Sequence, residues 1–192
     1  MAMTTPEEYI QQVMAATQAV DQKTMLASID MLEKAYKNGR SVFLIGNGGS
    51  AANASHFAED LCKGALADDN PKRFRVLSLT DNTSFITAIG NDIGYADIFK
   101  FQLRQFVEPE DVLIAISGSG NSPNIIKAVD YAKANGVKVI GLTGFDGGKL
   151  KSLSDVSVHV PLDHMCQSEA VHSVVSHLIV DLLKERISKG CE

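Results

Sequence analysis

Residues 112–117, VLIAIS, are apolar at every position but the last, so a strand built from them buries both of its faces. VIGL at 139–142 repeats the pattern. Such strands need helices on both sides of the sheet, and that arrangement belongs to parallel sheets joined by right-handed crossovers. Three more β-rich runs, SVFLIGN (41–47), RFRVLSLT (73–80) and DVSVHVPL (155–162), complete a set of five. Helical periodicity fills the gaps, as in SPNIIKAVDYAKANG at 122–136. The alternation predicts an α/β fold, a doubly wound five-stranded parallel sheet in a three-layer, flavodoxin-like sandwich.

Before the first strand, residues 1–38 carry apolar positions at three- and four-residue spacing, with a break near Asp21 and a stop at Gly39. They read as an N-terminal helical hairpin, followed by a sheet core over 41–192. A last helix is expected over SEAVHSVVSHLIVDLLKERI, residues 168–187. At 192 residues, with no linker or low-complexity tract, the chain reads as a single domain over 1–192. No run approaches the roughly 18 apolar residues of a spanning helix, so no membrane partner is expected. MAMTTPEEYIQQ lacks a basic flank before an apolar block, which predicts no secretory signal and a cytoplasmic location. Cys62, Cys166 and Cys191 are odd in number and lack CxxC spacing, as suits reduced thiols. The net charge of −5 and scattered basic residues exclude a nucleic-acid footprint.

In open parallel sheets, ligands bind past the carboxyl ends of strands, where helix amino termini offer unpaired N–H groups. The first such turn is GNGGSAANASHFAEDL, in which Gly46, Asn47, Gly48, Gly49 and Ser50 let backbone approach an anion. The third is SGSGNS at 117–122, where Ser117, Ser119 and Ser122 add hydroxyls around Gly118 and Gly120. LTGFDGG at 142–148 and IGND at 89–92 extend the pattern. Tight strand-to-helix turns also need Gly and Ser for steric and capping reasons alone. Two such turns flanking one crevice point to a small phosphorylated ligand. A second reading stays open: Gly46, Gly48 and Ala51 fit the dinucleotide fingerprint, with Asp81 as its acid. Asp81 stands 33 residues past Gly48 rather than about 20, and two helices precede the first strand, so no nucleotide cofactor is expected.

Titratable side chains follow. His56 and Asp60 are four apart and share one face of a helix, as paired metal ligands or an acid and its partner do. Glu169, His172 and His177 stand on the last helix. His172 and His177 differ by about 140° around it and cannot both serve one site, so one is structural. Glu169 and His177 differ by about 80°, with a rise of roughly 12 Å between them.

GNGGSAANASHFAEDL, IGNDIGY, ISGSGNSPNIIKA and LTGFDGGKL together resemble the sugar isomerase (SIS) domain family, in particular its sedoheptulose-7-phosphate isomerase branch. The resemblance runs over nearly the whole chain. It implies a homotetramer with sites at subunit contacts, and a phosphate held by Ser117, Gly118, Ser119 and Ser122. Asn47, Gly48, Gly49 and Ser50, with Asn91, Asp92 and Glu169, would hold the rest of the sugar. The implied reaction converts sedoheptulose 7-phosphate to D-glycero-D-manno-heptose 7-phosphate through an enediol, with Asp60 as base and His177 as acid. Zinc, where the family has it, would be held by His56, Asp60, Glu169 and His177. The chain departs from the family pattern in three places: Asp60 replaces the usual Glu, Glu169 stands where Gln is usual if His172 and His177 anchor the match, and Lys63 replaces an arginine. Gln167 would fill the glutamine position only with a two-residue gap. Relatives of the same architecture that bind a protein such as a replication initiator, or sense phosphosugars, supply the alternative of a non-catalytic module.

Overall fold

The computed structural model describes residues 5–66, 70 and 72–189. Helix α1 (Pro6–Gln18) opens with a capping box: Thr5 accepts from the Glu8 amide while the Glu8 carboxylate accepts from Thr5 N–H. Helix α2 (Gln22–Lys37) is capped by Asp21, whose carboxylate accepts from Lys23 N–H, which is why the hairpin breaks there. Gly39, at φ +65°, turns the chain into β1 (Ser41–Ile45).

Then follow α3 (Gly49–Glu59), a π-helical turn (Asp60–Gly64), β2 (Arg75–Ser78), α4 (Thr83–Asp92) and a 3-10 turn (Tyr95–Asp97). The chain continues through α5 (Ile98–Phe106), β3 (Val112–Ser117), α6 (Pro123–Ala134), β4 (Lys138–Thr143), α7 (Gly148–Leu153), β5 (Val156–His159) and α8 (Met165–Lys189).

The five strands form one sheet in the order β2-β1-β3-β4-β5, every pair parallel. Alternate residues of β1, β3 and β4 enter different cores. Val42, Leu44, Val112, Ile114, Ile116, Ile140, Leu142 and Val158 pack with α1, α2, α3 and α8. Phe43, Ile45, Leu113, Ala115 and Val139 pack on the other face with α5, α6 and α7. The two-faced apolar strands are thus covered on both sides, as a doubly wound sheet requires.

Helix α8 starts at Met165, three residues before the expected Ser168. His164 provides the reason: its Nδ1 receives the Gln167 N–H at 3.4 Å and its carbonyl receives Ser168 N–H at 2.9 Å. The imidazole thus serves as a cap, a role that the usual Ser, Thr, Asp and Asn signals do not flag. No helix among the described residues is long and apolar enough to cross a membrane. Cys62 and Cys166 are exposed free thiols, and Cys191 lies outside the described residues.

Candidate active site

The strand order reverses direction of growth between β1 and β3, so the turns after these two strands diverge and leave a crevice at the carboxyl edge. A cavity of about 260 Å³ occupies it. Its wall is built from Asn47, Gly48, Gly49 and Ser50 on one side and Ser117, Gly118, Ser119 and Ser122 on the other. Glu169 and Met165 close it from the start of α8. Among the described residues no lysine or arginine lines it, which leaves peptide dipoles, hydroxyls and the amino termini of α3 and α6 to hold an anion there.

Close approach explains the glycines. A Cβ on Gly46 would stand within 2.5 Å of the Ser50 carbonyl carbon, a backbone group that cannot yield, so this glycine serves the turn itself. A Cβ on Gly49 would press on the Glu169 carboxylate, 2.6 Å from Oε1, which the glycine admits to the wall. Ser50 also reaches Glu169 Oε1 at 3.4 Å, and Asn53 Nδ2 donates to the Glu169 carbonyl at 3.0 Å, so α3 and α8 are joined at this point.

A second group lies further along the same two helices. His56 Nε2 is 3.6 Å and His177 Nε2 3.4 Å from Asp60 Oδ2, and the two imidazoles meet edge to face with centroids 4.9 Å apart. Asp60 opens the π-helical turn, and its Oδ2 is buried with no hydrogen-bond partner. Such turns recur at functional sites because the extra residue re-aims a side chain.

The ligand atoms of His56, Asp60 and His177 lie within 4.8 Å of one another. Two ligands of a tetrahedral ion with bonds of about 2 Å are roughly 3.3 Å apart, so the two spacings suit a zinc-like cation, and an ion would also satisfy the orphaned oxygen. Glu169 is not in this group, and its carboxylate instead faces Gly49 and Ser50. The rise between Glu169 and His177 along α8, roughly 12 Å, accounts for the separation.

Of the residues expected from sequence, Asn91 and Asp92 do not line the cavity. They end α4 on the surface, where Asn91 Nδ2 donates to the Asp92 carboxylate at 2.8 Å. Asp81 accepts from Ser55 Oγ at 2.6 Å, which ties it to α3, and from its neighbour Thr80 Oγ1 at 3.1 Å. His172 is fully buried, facing the carboxyl ends of β4 and β5, and burial pushes its pKa down to about 4. The Thr143 carbonyl offsets part of that, while the nearby His159 adds to it. Neither ring nitrogen is within hydrogen-bonding geometry of a partner. Asn124 and Tyr95, which bond to Asn47, and Met165, which joins the wall because α8 starts early, belong to the site without a motif that marks them.

Residues 7–144 match the SIS domain family. The chain belongs to that family. Its SIS relatives include the phosphoheptose isomerase of Syntrophotalea carbinolica, 40% identical over 160 residues that span 83% of this chain and 81% of the relative. That of Helicobacter pylori is 38% identical over 167 residues, 87% of this chain and 86% of the relative. Among solved SIS structures, the phosphoheptose isomerase GmhA from Neisseria gonorrhoeae superposes with a TM-score of 0.84 at 32% identity, covering 93% of this chain and 94% of that one.

Proposed function

We propose that this SIS chain is a phosphosugar aldose–ketose isomerase, converting sedoheptulose 7-phosphate to D-glycero-D-manno-heptose 7-phosphate. The observation that carries the reading is the cavity between the two carboxyl-edge turns, which gathers nine polar or glycine residues and, among the described residues, no lysine or arginine. A phosphate seated among Ser117, Gly118, Ser119 and Ser122 receives hydroxyl and amide donors, and Asn47, Gly48, Gly49, Ser50 and Glu169 face the sugar chain. The names borne by the relatives, phosphoheptose isomerase in both curated and solved cases, support the same substrate class.

The reaction moves a proton from the carbon beside a carbonyl to the former carbonyl carbon, and another between the two oxygens. Asp60 turns its buried oxygen to the two imidazoles, and the other oxygen of this part-exposed carboxylate serves as the base that takes the proton from one carbon and returns it to the next. His177, 3.4 Å away and half exposed, shuttles the proton between oxygens of the enediol. Zinc held by His56, Asp60 and His177 would act as a Lewis acid, stabilising the charge that develops on the carbonyl oxygen. Elemental analysis of the purified protein checks for it.

The family's homotetramer, with sites at subunit contacts, fits the apolar surface on α8, where Val174, Leu178 and Leu182 are 46%, 37% and 36% exposed at four-residue spacing. A single SIS domain over 1–192 and a cytoplasmic location complete the reading.

Incubation with five- to seven-carbon sugar phosphates in deuterium oxide tests the chemistry without presuming the product. The expected result is isomerisation of sedoheptulose 7-phosphate, with deuterium entering beside the carbonyl. Absence of exchange across the panel, together with recovery of a protein partner by pulldown, would establish the non-catalytic module instead.

A further inference from the structure

Asn47 has the most constrained polar side chain in the cavity. Its Oδ1 accepts from Asn124 Nδ2 at 2.8 Å and from the Tyr95 hydroxyl at 2.9 Å, while its Nδ2 donates to Asn124 Oδ1 at 2.9 Å. A carboxamide has two lone pairs on oxygen and two hydrogens on nitrogen, so one N–H of Asn47 remains. The orientation is dictated from beneath. Asn124 is 2% exposed, and its Oδ1 also accepts from Ile125 N–H at 3.0 Å at the start of α6. Turning the Asn124 amide over would set N–H against N–H. With Asn124 fixed, the reciprocal pair fixes Asn47, and the Tyr95 hydroxyl must then donate rather than accept.

We propose that Asn124 and Tyr95 are positioning residues: they hold the Asn47 amide in one orientation, so that its remaining N–H is presented to the sugar phosphate in the cavity. This rests on the phosphosugar reading of the site. An Asn47 free to turn would spend part of its time offering its own oxygen where a sugar oxygen needs a donor. Each hydrogen bond that prevents this is worth about two- to tenfold in affinity. Tyr95 is 59% exposed, so its hydroxyl can be removed without disturbing either core.

Calorimetric titration with sedoheptulose 7-phosphate and with inorganic phosphate tests the proposal on the full chain. Tyr95→Phe should weaken sugar phosphate about two- to fivefold, and Asn124→Ala about tenfold. Both should leave inorganic phosphate within about twofold, since the serine turn is untouched. In an Asn47→Ala background, Tyr95→Phe should have no further effect, because it acts only through that amide. Unchanged affinity of Tyr95→Phe, an undiminished effect in the Asn47→Ala background, or equal weakening toward inorganic phosphate would each overturn the proposal. If Asn124→Ala does not fold, Tyr95→Phe with and without Asn47→Ala still decides it. A wild-type chain that binds no sugar phosphate takes down the reading of the cavity and the proposal with it. Normal wild-type binding without the Tyr95 coupling takes down the proposal alone.

Discussion

Asp60 and His177 are assigned the chemistry because a part-exposed carboxylate and a half-exposed imidazole stand 3.4 Å apart. Asp60→Asn and His177→Ala should each lower kcat by about a hundredfold or more, with the circular dichroism spectrum unchanged. A variant that keeps wild-type turnover removes that residue from the mechanism. His172 makes the opposite case. Its pKa falls from 6.5 to about 4 on folding, so between those values the unfolded chain binds a proton that the folded chain does not. Stability is therefore insensitive to this group above pH 6.5 and declines as pH drops toward 4, by about 3 kcal/mol in all. His172→Leu should flatten the melting temperature against pH across that window. It should leave stability at pH 7.5 unchanged or higher, because neither ring nitrogen has a bond to lose. Five-residue spacing separates His172 from His177, but burial decides which of the two is structural.

The strand-to-helix turn after β1 contains two glycines that are needed for different reasons. Gly46 faces backbone at Ser50, so Gly46→Ala must shift the turn and should cost about 2 kcal/mol or more, read as a drop of several degrees in the melting temperature. Gly49 faces the end of the flexible Glu169 side chain, so Gly49→Ala should melt within a few degrees of wild type yet bind sugar phosphate several-fold more weakly. Equal melting losses in the two variants would show that Glu169 cannot move aside. Helix α8 shows the limit of reading elements from pattern. Its amphipathic stretch was legible from Ser168 onward, but the first turn, carrying Met165 into the cavity wall, is set by the unusual cap at His164.

At the scale of the whole molecule, the exposed stripe of Val174, Leu178 and Leu182 on α8 carries the proposed assembly. Leu178→Glu should give a smaller species by analytical ultracentrifugation while the monomer fold persists; an unchanged sedimentation coefficient would place the subunit contact elsewhere. The two-faced apolar runs at 112–117 and 139–142 determined the parallel sheet, since strands of that kind need a layer of helices on each face. The two glycine-serine turns were equally readable, because turn chemistry is local and the carboxyl edge is where parallel strands deliver it. Tertiary structure alone decided what meets across those turns. It gathered His56, Asp60 and His177 over a π-helical turn, left Glu169 in the cavity wall, and put Asn91 and Asp92 on the surface. Those outcomes depend on helix rise, on where α3 crosses α8 and on which buried amide fixes the next, and residue spacing along a chain does not encode distances between elements far apart in sequence.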